Sequence, residues 1–278
     1  MSGAYGNWRG RPVEIAGTWN DNNQAMLGLW ALRPSGDLGN WDKPLDIAVG
    51  AIGTGETWQA AAGGAYDARW RESLTSLKKL WSGRSGTWYL RFAHEMNGNW
   101  YAWSVNSGNA AAFTKAWNRY RALQQEIFPE SKLVFNVNRE TVGNNADWRK
   151  YWPGKENVDV FGVDYYNAYP YVATKQDWAA SMKLTDGVGA PKGLQGHLDF
   201  ARSQGLPMSI SEWSGTAANG DNVAFMQGMY EFLQANGGSG AGQVLYEILF
   251  NVNVHNNSYR VFNGTAMPKA AEAYRSLW

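Results

Sequence analysis

The feature that most constrains the fold is the regular alternation of short apolar runs with helix-like stretches along all 278 residues. Seven of these runs are apolar on both faces, which predicts the strands of a parallel sheet covered by helices. The predicted strands are 12–19, 45–52, 87–95, 132–139, 158–166, 206–213 and 243–251. The predicted helices are 22–32, 66–81, 109–127, 144–151, 192–204, 220–235 and 267–277.

The number of strand–helix units favours closure of the sheet into an α/β fold of the (β/α)8 TIM-barrel type over an open doubly wound sheet. An open sheet usually carries a glycine-rich phosphate turn after its first strand, and no such motif stands there in this sequence. We assign the N-terminal stretch SGAYGNW as the eighth strand. The length and the lack of a low-complexity linker predict a single (β/α)8 catalytic domain over residues 1–278.

Charge and cysteine content exclude several classes of partner and site. The 25 lysines and arginines balance 24 acids, so no long-range field attracts nucleic acid or an anionic membrane. The chain has no cysteine, which excludes disulfides, thiolate metal ligands and a cysteine nucleophile, and leaves the redox compartment open. No segment reaches the roughly 18 apolar residues of a membrane span. We expect a monomer that binds neither nucleic acid nor membrane.

The composition is unusually aromatic, with 16 Trp, 14 Tyr and 10 Phe beside only 18% charged residues. Aromatic faces with few neighbouring charges suit stacking on the C–H face of a sugar ring, while the polar edges of Trp and Tyr still bond hydroxyl groups. A tryptophan-rich core explains the same composition equally well. The positions of these residues relative to acidic side chains must separate the two interpretations.

Carboxylates stand where predicted strands end, which is where barrels of this type carry their chemistry. Glu95 and Glu212 end two strands, and Asp164 lies two residues before Tyr166, so these two share a face. With SGAYGNW counted first, Glu95 ends the fourth strand and Glu212 the seventh, which face each other across a barrel mouth. Two carboxyl groups that flank one glycosidic bond are what its hydrolysis needs. Either glutamate alone is more often a surface or ion-pair residue.

The motifs RFAHEMNGNWYAW (91–103), VDYY (163–166) and SISEW (209–213) resemble those of glycoside hydrolase family 26, the β-mannanases and their relatives among the retaining (β/α)8 glycosidases. The order of motifs agrees over nearly the whole chain, from GAYDARW (64–70) onward. The resemblance implies that Glu95 is the general acid/base and Glu212 the nucleophile. It implies no metal and no organic cofactor, and the three histidines share no spacing of a metal site.

The resemblance also implies roles for residues beside the two glutamates. His94 would contact the sugar and is associated with the axial 2-hydroxyl of mannose, although a histidine bonded to a backbone carbonyl is the plainer alternative. Tyr166 would donate to the nucleophile and keep it ionised, and Asp164 lies on the same face. Tyr165 should point the other way, into the layer between strands and helices.

Further substrate-binding candidates lie on loops. Trp100 stands where the family has an active-site tryptophan, and Trp103 follows three residues later. At least one of them is expected to form a sugar platform, with loop packing as the alternative for the other. Asn97 is a polar loop residue positioned to bond hydroxyls, and Trp19 ends an early strand where some mannanases supply a histidine. Glu247 is the rival acid, but its mid-strand position favours a structural role.

The resulting prediction is a retaining, endo-acting glycoside hydrolase with a polysaccharide or oligosaccharide substrate. Its two carboxyl groups are expected about 5–5.5 Å apart. His94 makes β-1,4-mannan the first choice, with β-1,3-xylan, mixed-linkage β-glucan and bacterial exopolysaccharide as alternatives. A carbohydrate-binding barrel without activity and an ester- or amide-cleaving enzyme are less favoured. The expected location is extracytoplasmic, with a signal peptide that this sequence does not contain.

Overall fold

The chain divides into two compact units in the computed structural model, which describes residues 2–21, 25–143, 146–252 and 259–278. The larger unit comprises Glu14–Gly162 and Asp186–Ala190, and the smaller comprises Met1–Val13, Val163–Thr185 and Pro191–Trp278. Parts of two predicted helices, 22–24 and 144–145, lie outside the described residues, as does His255. The assignment of residues 1–278 to one catalytic domain stays a prediction.

The described residues contain seven strands; five lie within a predicted apolar run, and the other two extend one residue beyond theirs, at Asn20 and at Ser214. These are β1 (Ala16–Asn20), β2 (Leu45–Val49), β3 (Trp88–Phe92), β4 (Lys132–Asn138), β5 (Val160–Tyr166), β6 (Met208–Ser214) and β7 (Val244–Leu249). They follow one another in chain order in a single sheet. In the larger unit, β1, β2, β3 and β4 pair successively in parallel, and in the smaller unit β6 pairs in parallel with β7.

Helices cover the strands in the alternation that the sequence predicts. They are α1 (Ser2–Arg9), α2 (Ala25–Gly28), α3 (Trp58–Ala62), α4 (Asp67–Trp81), α5 (Ala110–Ile127), α6 (Lys175–Ser181), α7 (Leu194–Gln204), α8 (Val223–Asn236) and α9 (Pro268–Leu277). The short helices α3 and α6 were not predicted, because one or two turns give too little periodicity to recognise. The stretch 144–151 ends in a 3-10 helix, Trp148–Tyr151, in place of an α-helix. Along the described ranges, no helix is long and apolar enough to cross a membrane.

The assignment of SGAYGNW as a strand is wrong, because Ser2–Arg9 form the helix α1. Its aromatic residues Tyr5 and Trp8 are three apart, a spacing that places both on one helix face. Trp8 stacks on Tyr274 of α9 with ring centroids 5.9 Å apart, and the Tyr5 hydroxyl donates to the Tyr274 hydroxyl at 2.6 Å. Among the described strands, Glu95 therefore follows the third and Glu212 lies in the sixth, still three strands apart.

Much of the tryptophan content belongs to the core. The fully buried side chains include Trp58, Trp70, Trp88, Trp117, Trp148 and Trp213. In the larger unit, Phe92 at the end of β3 stacks on Tyr120 with ring centroids 3.9 Å apart, and Trp70 meets Phe92 edge-on at 5.2 Å. Edge-to-face and offset contacts of this kind add to the stabilisation that burial alone provides. The aromatic composition is thus mostly structural, and candidate sugar platforms must be sought among the exposed rings.

Candidate active site

Glu95 lies on a strained turn and not on the strand that precedes it. Strand β3 ends at Phe92, and both Ala93 and Glu95 adopt left-handed backbone conformations, with φ of 54° and 52°. Two backbone bonds hold this turn: Ala93 N–H donates to Val49 O at 3.1 Å, and Glu95 N–H donates to Asn136 O at 2.9 Å. Non-glycine residues persist in this region only where the surroundings enforce it. Side chains here do not alternate as they do in a strand.

The carboxyl group of Glu95 is nearly buried and has an aromatic donor beside it. Glu95 is 8% exposed, and the indole N–H of Trp100 donates to its Oε2 at 3.0 Å. Trp100 itself stays 47% exposed, so it is the tryptophan of this motif that offers a face to solvent. A nearly buried carboxyl group that accepts from an indole N–H, with an exposed ring next to it, is suited to proton transfer beside a bound sugar.

His94 is buried under the same loop. Its Nε2 lies 3.1 Å from the Tyr101 hydroxyl and 3.6 Å from Oδ2 of Asp21, which follows β1. Burial, with the charge of Arg91 as the smaller cause, holds the pKa of His94 well below its usual range, so its ring is neutral near neutral pH. The predicted contact between His94 and the sugar stays a prediction. Tyr101, which sequence analysis did not single out, is the group that covers this imidazole.

Three other predicted binding residues of the larger unit lie partly or fully inside the protein. Trp103 is 3% exposed, donates to His94 O at 2.8 Å and stacks on Tyr101. Asn97 is buried, and its side-chain amide bonds the backbone of Asn138 twice. Asn97 Nδ2 donates to Asn138 O at 2.9 Å, and Asn138 N–H donates to Asn97 Oδ1 at 2.8 Å. Trp19 is half-buried within β1. Trp103 and Asn97 thus support the turn that carries Glu95.

Beneath this turn the sheet contains a buried ion pair. Arg91 of β3 and Asp46 of β2 are both fully buried, and Arg91 Nε donates to the Asp46 carboxylate. A buried charge is tolerated only when it is paired in this way, and removal of one partner is strongly destabilising. These contacts support a structural role for Arg91 within the sheet.

In the smaller unit, Glu212 lies within β6 and accepts a bond from the end of β5. The hydroxyl of Tyr166 donates to Glu212 Oε2 at 2.7 Å, and Glu212 is 6% exposed. The Tyr166 ring is held edge-on by Phe250 and Tyr259, at centroid distances of 5.5 and 5.3 Å. A phenol fixed on both sides holds the carboxyl group of Glu212 in one orientation. The partner that the resemblance implies for Glu212 is therefore present.

The neighbouring residues of β5 follow the period of two. Tyr165 is 1% exposed and lies parallel to Phe225 of α8 at a centroid distance of 6.3 Å, so it faces the helix layer as predicted. Asp164 is fully buried. Because successive residues of a strand point to opposite faces, Asp164 and Tyr166 share the other face.

The rival acid Glu247 lies in a different environment. It accepts from the indole N–H of Trp213, the residue after Glu212, and from that of Trp278 at 3.1 Å. Burial raises the pKa of this carboxyl group, against the two indole bonds that lower it. Since Glu212 and Trp213 point to opposite faces of β6, Glu247 belongs to the helix side of the strand, which supports its predicted structural role.

Each unit therefore holds a nearly buried glutamate with an aromatic donor, close to where a parallel strand ends. Within the described ranges, no group of three or more histidine, aspartate or glutamate side chains is able to hold a metal. These features define an α/β protein of the (β/α)8 class with candidate acid–base groups at its strand ends.

Residues 73–203 match the model of Glycosyl hydrolase family 26. The match includes the HEMNGNW motif and confirms the resemblance inferred from it. Endoglucanase H of Acetivibrio thermocellus is 26% identical over 220 residues, 76% of this chain and 21% of that protein. A mannan endo-1,4-beta-mannosidase of Bacillus subtilis is 28% identical over 144 residues, 47% of this chain and 37% of that protein. The chain thus spans well under two thirds of either relative.

The similarity to solved structures concerns the fold. The catalytic domain of the family 26 endo-β-1,4-mannanase of Bacillus sp. JAMB-750 superposes with a TM-score of 0.68 at 15% identity, over 99% of this chain and 79% of that chain. With the chain order of the strands in the sheet, this confirms the predicted α/β fold of the (β/α)8 type.

Proposed function

We propose that the chain is a retaining, endo-acting glycoside hydrolase that cleaves a β-linked polysaccharide, with Glu212 as nucleophile and Glu95 as general acid/base. The observation that carries the proposal is the 2.7 Å bond from the Tyr166 hydroxyl to Glu212, because a nucleophilic carboxylate must be ionised and correctly oriented before attack. The second support is the match of the segment that contains Glu95 to the model of Glycosyl hydrolase family 26.

The first chemical step forms a covalent intermediate. A carboxylate oxygen of Glu212 attacks the anomeric carbon, the glycosidic C–O bond breaks, and Glu95 transfers its proton to the departing sugar oxygen. The leaving sugar departs as an alcohol, and the reacting sugar becomes an ester of Glu212. Tyr166 transfers no proton in this step, but its hydroxyl holds the attacking carboxylate in position by the hydrogen bond to Glu212.

The second step returns the enzyme to its starting state. Glu95, now a carboxylate, takes a proton from water, and the hydroxide attacks the anomeric carbon while the bond to Glu212 breaks. Two inversions give the product the same anomeric configuration as the substrate. An inverting enzyme would need its carboxyl groups roughly 6.5–9.5 Å apart to admit a water molecule, whereas this proposal requires about 5–5.5 Å.

β-1,4-Mannan is the first substrate proposed, because of His94 and of the similarity to the B. subtilis mannosidase. Mixed-linkage β-glucan is the second candidate, because the endoglucanase of A. thermocellus aligns over a larger share of the chain, 76% against 47%.

The experiment that tests the proposal is reducing-sugar release from mannan, glucomannan, galactomannan, β-1,3-xylan and mixed-linkage glucan, with Glu212→Ala as the blank. Internal cleavage is expected to give a falling average chain length from the first minutes. Release from mannans that is lost in the blank supports the proposal in full. Activity on mixed-linkage glucan alone supports the catalytic pair and makes β-glucan, in place of mannan, the substrate. Silence on the whole panel contradicts the proposed activity.

The stereochemical outcome tests the mechanism independently of the substrate. Proton NMR of the first product formed is expected to show the β-anomer before mutarotation. An initial α-anomer would contradict the double displacement even if hydrolysis is fast.

The proposal extends to where the protein works. A polysaccharide is too large to enter a cell, so its hydrolase is expected outside the cytoplasm. The formal net charge of +1 provides little electrostatic attraction to an anionic surface. We expect a monomer, which size-exclusion chromatography with light scattering would test. A stable dimer would contradict this part of the proposal alone.

A further inference from the structure

The bond between Trp100 and Glu95 limits where the acid/base can carry its proton. The indole N–H is a donor only, so the oxygen it reaches, Oε2 at 3.0 Å, must act as an acceptor. In a neutral carboxyl group the carbonyl oxygen is a stronger acceptor than the hydroxyl oxygen. The bond from Trp100 to Oε2 therefore favours the form of neutral Glu95 that carries its proton on Oε1.

A glycine provides the position from which Trp100 makes this bond. A Cβ atom on Gly98 would lie 2.5 Å from ring atoms of Trp100, well inside contact distance, so the ring packs directly against the Gly98 backbone. Gly98 N–H in turn donates to Glu95 O at 2.9 Å, which closes the turn between the acid and the ring. A side chain at position 98 would displace the indole from the carboxyl group.

From these contacts we propose that Trp100, seated on Gly98, is a positioning residue that selects Oε1 of Glu95 as the proton-carrying oxygen. The inference rests on the proposed function, because it gives Glu95 the role of general acid/base. It goes beyond a role for Trp100 as a sugar platform, since it acts through the indole N–H and not through the face of the ring.

The same bond serves both steps of the reaction. In the first step, Oε1 gives its proton to the glycosidic oxygen. The indole N–H then stabilises the negative charge of the carboxylate by its hydrogen bond to Oε2. In the second, Oε1 takes a proton from the attacking water, whose hydroxide joins the anomeric carbon. Because the donor favours the ionised carboxylate, its loss should move the basic limb of the kcat/KM pH profile to higher pH.

The test compares two leaving groups in the wild type, Trp100→Phe and Gly98→Ala. Cleavage of the polysaccharide requires protonation of a poor leaving group, whereas a dinitrophenyl β-glycoside of the matching disaccharide leaves without it. For both variants we expect kcat/KM on the polysaccharide to fall about tenfold and kcat/KM on the dinitrophenyl substrate to stay close to wild type. Phenylalanine keeps an aromatic face, so platform binding is retained. Trp30→Phe is the control, because Trp30 is exposed to a similar degree, 49% against 47%.

The outcomes separate the inference from the function on which it rests. An equal loss on both leaving groups, with an unmoved basic limb, would overturn the inference and leave Trp100 a binding platform in an active enzyme. A selective loss on the polysaccharide in both variants, absent from Trp30→Phe, supports it. Failure of the wild type to cleave either substrate would overturn the proposed function and, with it, the inference.

Discussion

The two glutamates have opposite kinds of local structure. Glu212 is part of a regular strand, and its donor, the Tyr166 phenol, is fixed by two rings at 5.5 and 5.3 Å. Glu95 lies three residues beyond the end of its strand, on a turn with left-handed backbone, and its donor Trp100 is half exposed. One carboxylate is held by sheet geometry and the other by a loop.

This difference matches the different demands of the two proposed roles. A nucleophile must present one ionised oxygen along one direction, which a strand and a buried phenol provide. An acid/base must gain and lose a proton and admit water in the second step, which a turn with a half-exposed donor allows. The strained conformation of Glu95 is paid for by the contacts that surround the turn.

The strongest way to break this comparison is to remove each carboxylate in turn. Glu212→Ala and Glu95→Ala are each expected to lower kcat on the polysaccharide by about 10⁴-fold or more, as loss of a nucleophile or its proton-transfer partner does. Added azide should restore turnover of an activated aryl glycoside in both variants. The measurement is the anomeric configuration of the glycosyl azide by NMR.

The configuration assigns the roles. Without Glu212, azide attacks directly and should give the α-glycosyl azide, whereas without Glu95 it attacks the glycosyl-enzyme and should give the β-product. The reverse assignment of products would exchange the two roles. Activity of either variant near the wild-type level would remove that glutamate from the mechanism.

A smaller effect is expected when only the donor to Glu212 is removed. Tyr166→Phe should lower kcat about 100-fold, the scale of one lost donor to a charged group in an active site. Tyr165→Phe is the matched control, since Tyr165 faces Phe225 and the helix layer. Equal losses in the two variants would contradict the assigned role of Tyr166.

Features that depend on local periodicity are predictable from the sequence alone. The apolar runs located all seven described strands, and the alternation along VDYY placed Tyr165 and Tyr166 on opposite faces. Both are properties of the strand itself, whose period of two is independent of the rest of the chain. The bond from Tyr166 to Glu212 was reached only through resemblance, because residues in two different strands share no local signal.

The errors arise where tertiary contacts override local pattern. The expected count of eight strands places one in SGAYGNW, but the docking of Tyr5 and Trp8 on Tyr274 stabilises a helix there. The run 87–95 was extended through Glu95, although the strand ends at Phe92. The residues Ala93, His94 and Glu95 do not predict a left-handed turn, because glycine, the residue that usually adopts this conformation, is absent from this stretch.

The loop around Glu95 provides a further test of the comparison, with stability as its main readout. Asn97→Ala removes both amide bonds to the Asn138 backbone and should lower the free energy of unfolding by about 2 kcal/mol, the cost of a buried N–H left unsatisfied. Substrate KM should change little. Asn99→Ala, at an exposed neighbouring position, is the control in urea denaturation. A large rise in KM with unchanged stability would instead support Asn97 as a substrate contact.

The smallest effect on activity is expected at Glu247, the acid on the helix side of β6. Glu247→Gln should leave kcat per folded molecule within about twofold of the wild type, because this carboxyl group bonds Trp213 and Trp278 and takes no part in the proposed chemistry.

Burial raises the pKa of Glu247 in the folded state, so its contribution to stability is full below the unfolded pKa and is lost as pH rises through the folded value. Melting curves should therefore show a wild-type advantage over the variant that is larger near about pH 4 than near about pH 8. An advantage that grows with pH would mean that the indole bonds outweigh burial, and a kcat loss as large as that of Tyr166→Phe would place Glu247 in the reaction.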